Sequence, residues 1–279
     1  MTTIAINGFG RIGRLFFRGI SEKPEFRVVA VNDLGSVENL EYLLKYDTVY
    51  GKFDKGLEGV KILQEKDASK LPWKELRVDI VVEATGAFES YEKAKAHLEA
   101  GARRVVITAP AKDDDGENGK TVLAGVNEED LKGHLISSNG SCTTNSASPV
   151  VEILRENPGI KKAILNTVHG YTATQNLVDG PVRGSDVRRG RAAAQNIVPS
   201  STGAAIAVAR AVQELEGKFD GIAIRVPIVA GSIADITFVA KRKTSAQEVN
   251  EILEKAAALP RWHGIFKVTK DPIVSSDII

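Results

Sequence analysis

Along the first 140 residues, short runs of β-branched and other apolar side chains alternate with stretches whose apolar positions recur every three or four residues. Thr3–Asn7, Arg27–Asn32, Val78–Glu83, Arg104–Thr108, Thr121–Ala124 and Leu135–Ser138 read as strands. Arg11–Ser21, Val37–Tyr46 and Ser90–Ala100 read as helices; Leu40, Leu43 and Leu44 share one stripe of the second, and Gly101 is placed to end the third. Strands that alternate with helices are joined by crossovers and pair in parallel, so this half predicts an α/β fold with a doubly wound parallel sheet.

Past residue 142 the pattern changes. A helix from about Ala147 to Arg155, with Pro149 in its first turn, leads into a strand over Ala163–Tyr171. Helices follow over Thr202–Leu215 and Ser245–Ala258, and Gly221–Pro227 and Ile233–Lys241 look like strands paired with each other. The segment 172–200 carries Gly180-Pro181, Gly184 and the basic run Arg188-Arg189-Gly190-Arg191; a loop this long in a compact domain is usually functional. This half predicts a second, α+β domain on a mixed, mainly antiparallel sheet. No linker or repeat intervenes, so the boundary falls near Cys142, giving domains 1–142 and 143–279.

Composition narrows the function. The length of 279 residues suits about two domains at roughly 150 residues each. A formal net charge of +1 gives no electrostatic reason to expect nucleic acid or an acidic membrane surface as partner. No apolar run is long enough for a membrane span, and the start runs straight into a strand without an apolar signal core, so a cytoplasmic location is expected. With one cysteine, Cys142, no intrachain disulfide can form, which fits a reducing compartment. His97, His134, His169 and His263 are scattered and no cluster has metal-ligand spacing, so no metal is expected.

Gly8-Phe9-Gly10-Arg11-Ile12-Gly13 is a G-x-G-x-x-G run that follows a predicted strand and opens a predicted helix. In that setting the first glycine permits a tight turn, the second lets the backbone approach a pyrophosphate, and the third allows helix–strand packing. The helix N-terminus then offers unpaired N–H groups to the anion. Asp33 follows Gly13 by 20 positions, where a carboxylate accepts from the adenosine ribose hydroxyls and repels a ribose phosphate, so NAD is expected over NADP. The same residues also fit a plain βα turn followed by an aspartate helix cap.

Cys142 stands just before a predicted helix, where the end dipole stabilises a thiolate, the nucleophilic form; it reads equally as a small buried hydrophobe. His169 ends a β-type run and could move a proton to and from a thiol, or simply pack at a strand end. His97 reads as part of a helix face, and His134 and His263 as loop residues.

Three segments decide between these readings. Ile6-Asn7-Gly8-Phe9-Gly10-Arg11-Ile12-Gly13-Arg14, Ser141-Cys142-Thr143-Thr144-Asn145 and Thr167-Val168-His169-Gly170-Tyr171-Thr172-Ala173-Thr174-Gln175 closely resemble glyceraldehyde-3-phosphate dehydrogenases. So do Arg191-Ala192-Ala193-Ala194, Pro199-Ser200-Ser201-Thr202-Gly203-Ala204-Ala205 and Arg225-Val226-Pro227, in the family's order and over essentially the whole chain. The resemblance implies a Rossmann domain followed by a substrate domain, and an NAD-dependent oxidation of glyceraldehyde 3-phosphate to an acyl phosphate in glycolysis and gluconeogenesis. Cys142 would form the thioester with His169 as base. Thr172, Thr174 and Arg225 would hold the substrate phosphate, and Ser141, Thr143, Thr202, Gly203 and Arg189 the inorganic phosphate. On the cofactor side, Gly8, Gly10, Arg11, Ile12, Gly13 and Asp33 would meet the dinucleotide backbone, and Thr85, Gly86 and Thr108 its nicotinamide side. The loop with Gly180-Pro181 implies a homotetramer.

The chain departs from the family in places. Ser146 stands where a second cysteine is common, Gly170 where alanine is, and Tyr50–Lys66 is short. The family also continues past Ile279 with a last strand and a C-terminal helix that packs on the cofactor domain; without them a groove and a sheet edge are expected to be open. Two other readings stay open: an erythrose-4-phosphate dehydrogenase with the same thiol chemistry, and a non-catalytic NAD-binding or interaction protein.

Overall fold

The structure is a computed structural model that describes residues 1–182 and 184–278; Ile279, past which the resemblance implies further chain, lies outside the described residues. The chain forms two compact units. The first comprises residues 1–122 and 129–141, the second residues 123–128 and 142–279.

The first unit contains β1 (Thr2–Asn7), α1 (Arg11–Ile20), β2 (Phe26–Asn32), α2 (Val37–Lys45), a small hairpin of β3 (Tyr46–Asp47) and β4 (Gly51–Lys52), then β5 (Lys61–Leu63), β6 (Ile80–Glu83), α3 (Tyr91–Glu99), β7 (Arg104–Ile107), β8 (Lys120–Thr121) and β9 (Ile136–Ser138). Seven of the strands form a parallel sheet in the order β5-β2-β1-β6-β7-β9-β8. Successive side chains of a strand point to opposite faces, and here both faces are covered. Ile4 and Ile6 enter one core with Phe17, Leu40 and Leu44 of α1 and α2, while Ala5 enters the other with Trp73, Tyr91 and Ala94. That double covering explains why these strands read as unbroken apolar runs. The winding reverses between β1 and β6, whose last residues, Asn7 and Glu83, lie side by side in register. Ligands of open α/β sheets bind beyond strand ends at such a switch point.

Most predicted elements of this unit recur with ends shifted by a residue or two. Ser90 caps α3 by accepting from the Lys93 amide, and Gly101 leaves the helix at φ +103°. The strand expected over Thr121–Ala124 ends at Thr121; its apolar remainder turns away, with the Leu123 amide held by Asn127 Oδ1 at 2.9 Å.

The second unit contains α4 (Cys142–Glu156), β10 (Ile160–Gly170), β11 (Val198–Ser201), α5 (Ala204–Ala211), β12 (Phe219–Val226), β13 (Ser232–Ala240) and α6 (Ala246–Ala257). Its mixed sheet runs β11-β12-β10-β13, and only the β10–β12 pair is parallel. Gly221–Pro227 and Ile233–Lys241 therefore do not pair with each other as expected: β10 lies between them. Local patterning shows that both are strands, but pairing is a long-range choice, and the 11-residue β10 offers its backbone hydrogen-bonding groups on two edges. Leu165 and Thr167 of β10 face α4 and α5 over a core with Ala147, Val151, Val208 and Leu215, whereas Ile164, Ile222, Ile233 and Val239 are exposed.

The helix expected from Ala147 begins five residues earlier, so Pro149 is interior rather than in the first turn. An interior proline removes one helix hydrogen bond at a cost of about 3 kcal/mol. The early turns nevertheless hold because Thr143, Thr144, Ala147, Ser148 and Val151 are all buried. The helix expected over Thr202–Leu215 is shorter, ending at Ala211 and followed by a 3₁₀ turn over Gln213–Leu215, because Val212, at ψ 75°, leaves the helical range.

Candidate active site

The second unit brings together the thiol, the imidazole and two guanidinium groups. Cys142 is the first residue of α4 and His169 the penultimate residue of β10. Cys142 Sγ lies 3.2 Å from His169 Nε2. The thiol is held below its ordinary pKa of 9.0, chiefly by the hydrogen bond with His169; partial burial opposes this, and the imidazole's charge and hydrogen bonds from the backbone and side chain of Thr143 assist. Thr143, expected at the inorganic phosphate, thus also serves the sulfur. Cys142 is exposed, so the buried-hydrophobe reading falls away.

On the far side of the ring, His169 Nδ1 lies 2.6 Å from Gly170 O and 2.7 Å from Arg225 Nη1, which also donates to Gly170 O at 3.0 Å. Arg225 is beside His169 because β12 pairs in parallel with β10 in that register. A guanidinium can only donate. When Nδ1 is bare it accepts from Arg225; when protonated it donates to Gly170 O, which Arg225 also reaches. The ring therefore keeps an anchor in both protonation states.

Arg225 is partly buried, and that desolvation together with the charge of Arg189 lowers its pKa. Two cations held close in a partly desolvated site are stabilised by an anion. Arg189 donates from Nη1 to Thr174 Oγ1 at 3.2 Å and from Nη2 to Ser200 Oγ at 3.1 Å, and Thr174 Oγ1 lies 3.0 Å from Thr172 Oγ1. The structure thus places Arg189 against Thr174, which the resemblance assigned to the other phosphate. Thr202 and Gly203 stand at the start of α5, which packs on α4, and Thr202 Oγ1 accepts from the Ala204 amide. Ser141 immediately precedes Cys142.

In the first unit, a cleft of about 380 Å³ opens beyond the ends of β1 and β6, lined among others by Gly8, Gly10, Asp33, Ala84 and Thr85. Its volume is in the range of small-ligand sites. The three glycines do different work. Gly8 has φ +92°, and a Cβ there would lie 2.6 Å from the Ala84 carbonyl carbon and the Thr85 nitrogen. A Cβ on Gly13 would meet Gly8 O at 2.1 Å, whereas one on Gly10 would meet nothing within 4 Å. Gly10 therefore faces open space at the N-cap of α1, whose first turn has neither a capping side chain nor an acid. Those free amides are what a pyrophosphate requires.

Asp33 Oδ2 accepts from the Phe9 amide at 2.7 Å and Oδ1 from the Gly35 amide at 2.8 Å, leaving a lone pair on each oxygen for ribose hydroxyls. Arg11 pairs with Asp47 at 2.8 Å and Ile12 is exposed. Thr85 lines the cleft and is followed by Gly86 at φ +74°. Thr108 stands apart: its hydroxyl donates to Glu83 O at 2.9 Å, and it lines a separate apolar hollow with Ile4, Phe16, Val106 and Asn139. Replacing Asp33 by asparagine is expected to raise the Kd for NAD about tenfold while narrowing its preference over NADP, since charge-assisted hydrogen bonds and phosphate repulsion are lost together. Fluorescence titration with both cofactors checks this; an unchanged ratio removes Asp33 from the ribose site.

Sequence reasoning overlooked Ser200 and Glu83. Ser200 lies within a quoted segment, but nothing local separates its hydroxyl from that of Ser201. Glu83 ends an apolar strand and carries no motif of its own.

Residues 2–91 match the family model described as the glyceraldehyde 3-phosphate dehydrogenase NAD binding domain, and residues 141–279 the one described as its C-terminal domain. Among curated proteins, the glyceraldehyde-3-phosphate dehydrogenases of Clostridium pasteurianum and Clostridium acetobutylicum are each 45% identical over 291 residues, covering 100% of this chain and 84% of theirs. Glyceraldehyde-3-phosphate dehydrogenase 1 of Streptomyces avermitilis is 44% identical over 289 residues, 99% of this chain and 84% of its own.

Proposed function

The chain belongs to the glyceraldehyde-3-phosphate dehydrogenase family, and on that premise we propose that Cys142 and His169 carry out its NAD-dependent, phosphorylating aldehyde oxidation. The observation that carries the assignment is the 3.2 Å approach of Sγ to Nε2 at a thiol already shifted toward thiolate. His169 takes the thiol proton, the thiolate adds to the aldehyde carbon of glyceraldehyde 3-phosphate, and the carbonyl electron pair moves to an oxygen that Nε2–H protonates. Bound NAD supplies the two-electron acceptor for the hydrogen that leaves that carbon as hydride. His169 withdraws the hydroxyl proton in the same step, leaving Cys142 as a thioester. An oxygen of inorganic phosphate then attacks the acyl carbon, and the departing thiolate regains the hydrogen bond from His169. Splitting the oxidation in two retains its free energy in the thioester.

Arg225, Thr172 and Thr174 hold the substrate phosphate; Ser141, Thr143, Thr202, Gly203 and Arg189 receive inorganic phosphate. Gly8, Gly10, Arg11, Ile12, Gly13 and Asp33 bind the dinucleotide, with Thr85, Gly86 and Thr108 toward its nicotinamide end. The protein works in the cytoplasm as a homotetramer; the exposed apolar side chains Ile164, Ile222 and Ile233 on the outer face of the second sheet support association through that face.

The test is NAD reduction with glyceraldehyde 3-phosphate, with and without inorganic phosphate. Turnover is expected to need phosphate, and a rate indifferent to phosphate overturns the acyl phosphate product.

A further inference from the structure

We propose that Glu83, oriented by His97 and Trp73, is a positioning group for the dinucleotide cleft, holding the Ala84–Thr85 turn against the glycine-rich turn. The inference rests on the cofactor site described above and concerns residues outside it.

His97 reads from the sequence as part of a helix face, yet it is fully buried, and Glu83 is 2% exposed. The Trp73 indole N–H donates to His97 Nδ1 at 3.1 Å. An indole can only donate, so Nδ1 carries the lone pair and the ring proton sits on Nε2. Nε2 then donates to Glu83 Oε2 at 3.0 Å, where Asn7 Nδ2 also donates at 2.6 Å. On the other oxygen, Oε1, the Thr85 amide donates at 2.8 Å and the Thr85 hydroxyl at 2.5 Å. All four partners are donors. Each carboxylate oxygen thus receives two hydrogen bonds, which fixes the side chain in one orientation.

These bonds reach the cleft from beneath. Asn7 accepts from Asn32 Nδ2 at 2.7 Å, and Asn32 Oδ1 accepts from the Glu65 amide at 2.9 Å. Asn7, Asn32, Glu65, Thr85 and Phe88 all line the cleft, and the His97 ring lies 5.5 Å from that of Phe88. Gly8 has no room for even a Cβ against Ala84 and Thr85, so a shift of Thr85 displaces the turn that receives the pyrophosphate. Glu83 fixes Thr85; His97 fixes Glu83; Trp73 fixes the tautomer of His97.

The test uses NADH affinity, read by fluorescence titration well below each variant's unfolding temperature. Glu83→Gln places an amide NH₂ against donors whichever way it faces. It is expected to raise the Kd about tenfold, equivalent to one buried donor left unpaired, and to raise KM for NAD with kcat at saturation nearly unchanged. Adding Trp73→Phe frees the His97 proton to move to Nδ1, so that Nε2 can accept from the side-chain amide introduced by E83Q; W73F on the E83Q background should therefore bind NADH more tightly than E83Q alone. An E83Q protein that binds like the wild type, or a double variant no tighter than E83Q, overturns the proposal. Should E83Q not fold, His97→Leu is read instead, with weakened binding expected and unchanged affinity overturning the role. Asp33→Asn serves as reference: if it too leaves affinity unchanged, the cofactor site itself is misassigned, whereas weakening by D33N alone rejects only the positioning role.

Discussion

Replacing Cys142 by serine is expected to lower phosphate-dependent NAD reduction by roughly 10⁴-fold or more, the scale seen when an enzyme loses its nucleophile. The thiol owes its reactivity to its depressed pKa, set first by the His169 hydrogen bond and aided by Thr143. A serine hydroxyl in the same place is far too weak an acid to share that advantage. An oxygen ester is also a poorer acyl donor to phosphate than a thioester, so both halves of the reaction suffer. NADH affinity should be unchanged, because the cleft with Gly8, Gly10 and Asp33 belongs wholly to the first unit. Steady-state rates and NADH titration on the same preparation check both statements. Retention of more than about one per cent of the wild-type rate would remove the thioester from the mechanism.

The legibility of the fold and site differed with the range of the information. Strands β1 and β6 could be read from Ile4–Ile6 and Ile80–Val82 because burial on both faces leaves no polar alternation to confuse the run. One helix stop was local as well: Gly101 follows α3 at a positive φ that its lack of a side chain permits. Non-local pairing was not legible. Nothing within Gly221–Pro227 or Ile233–Lys241 says that β10 will separate them, since each offers an edge of backbone N–H and C=O groups that either partner could pair with. The start of α4 was hidden for a related reason. Thr143 and Thr144 look like loop residues, yet burial against the unit's core carries them into the helix. At the site, the glycines, Cys142 and His169 had motifs, whereas Arg189 was assigned apart from Thr174 although their side chains meet. Glu83 and His97 could not be singled out, because Asn7 and His97 reach Glu83 from segments apart in sequence and only the two Thr85 donors are local.

His169→Asn is expected to lower kcat by about 10²- to 10⁴-fold, the usual range for loss of a positioned acid–base group, and to displace the pH dependence of thiol reactivity. In the wild type the thiol pKa is depressed, so the rate of Cys142 alkylation rises with pH through a midpoint below the ordinary thiol value. The variant loses the hydrogen bond that contributes most to that depression, together with the ring's charge, while partial burial continues to push the pKa up. Its midpoint therefore moves to higher pH. Near neutrality its alkylation is slower, and well above the variant's own midpoint the two proteins converge because both are fully thiolate. Turnover should not converge there. His169 Nε2 is also the donor to the oxygen formed on thiolate addition and the base for the oxidation, and neither duty is restored by ionising the sulfur. Iodoacetamide kinetics and steady-state rates across the same pH range separate the two roles. Recovery of wild-type turnover at high pH would confine His169 to thiolate formation, whereas an unmoved alkylation midpoint would mean that the 3.2 Å contact does not set the state of Cys142.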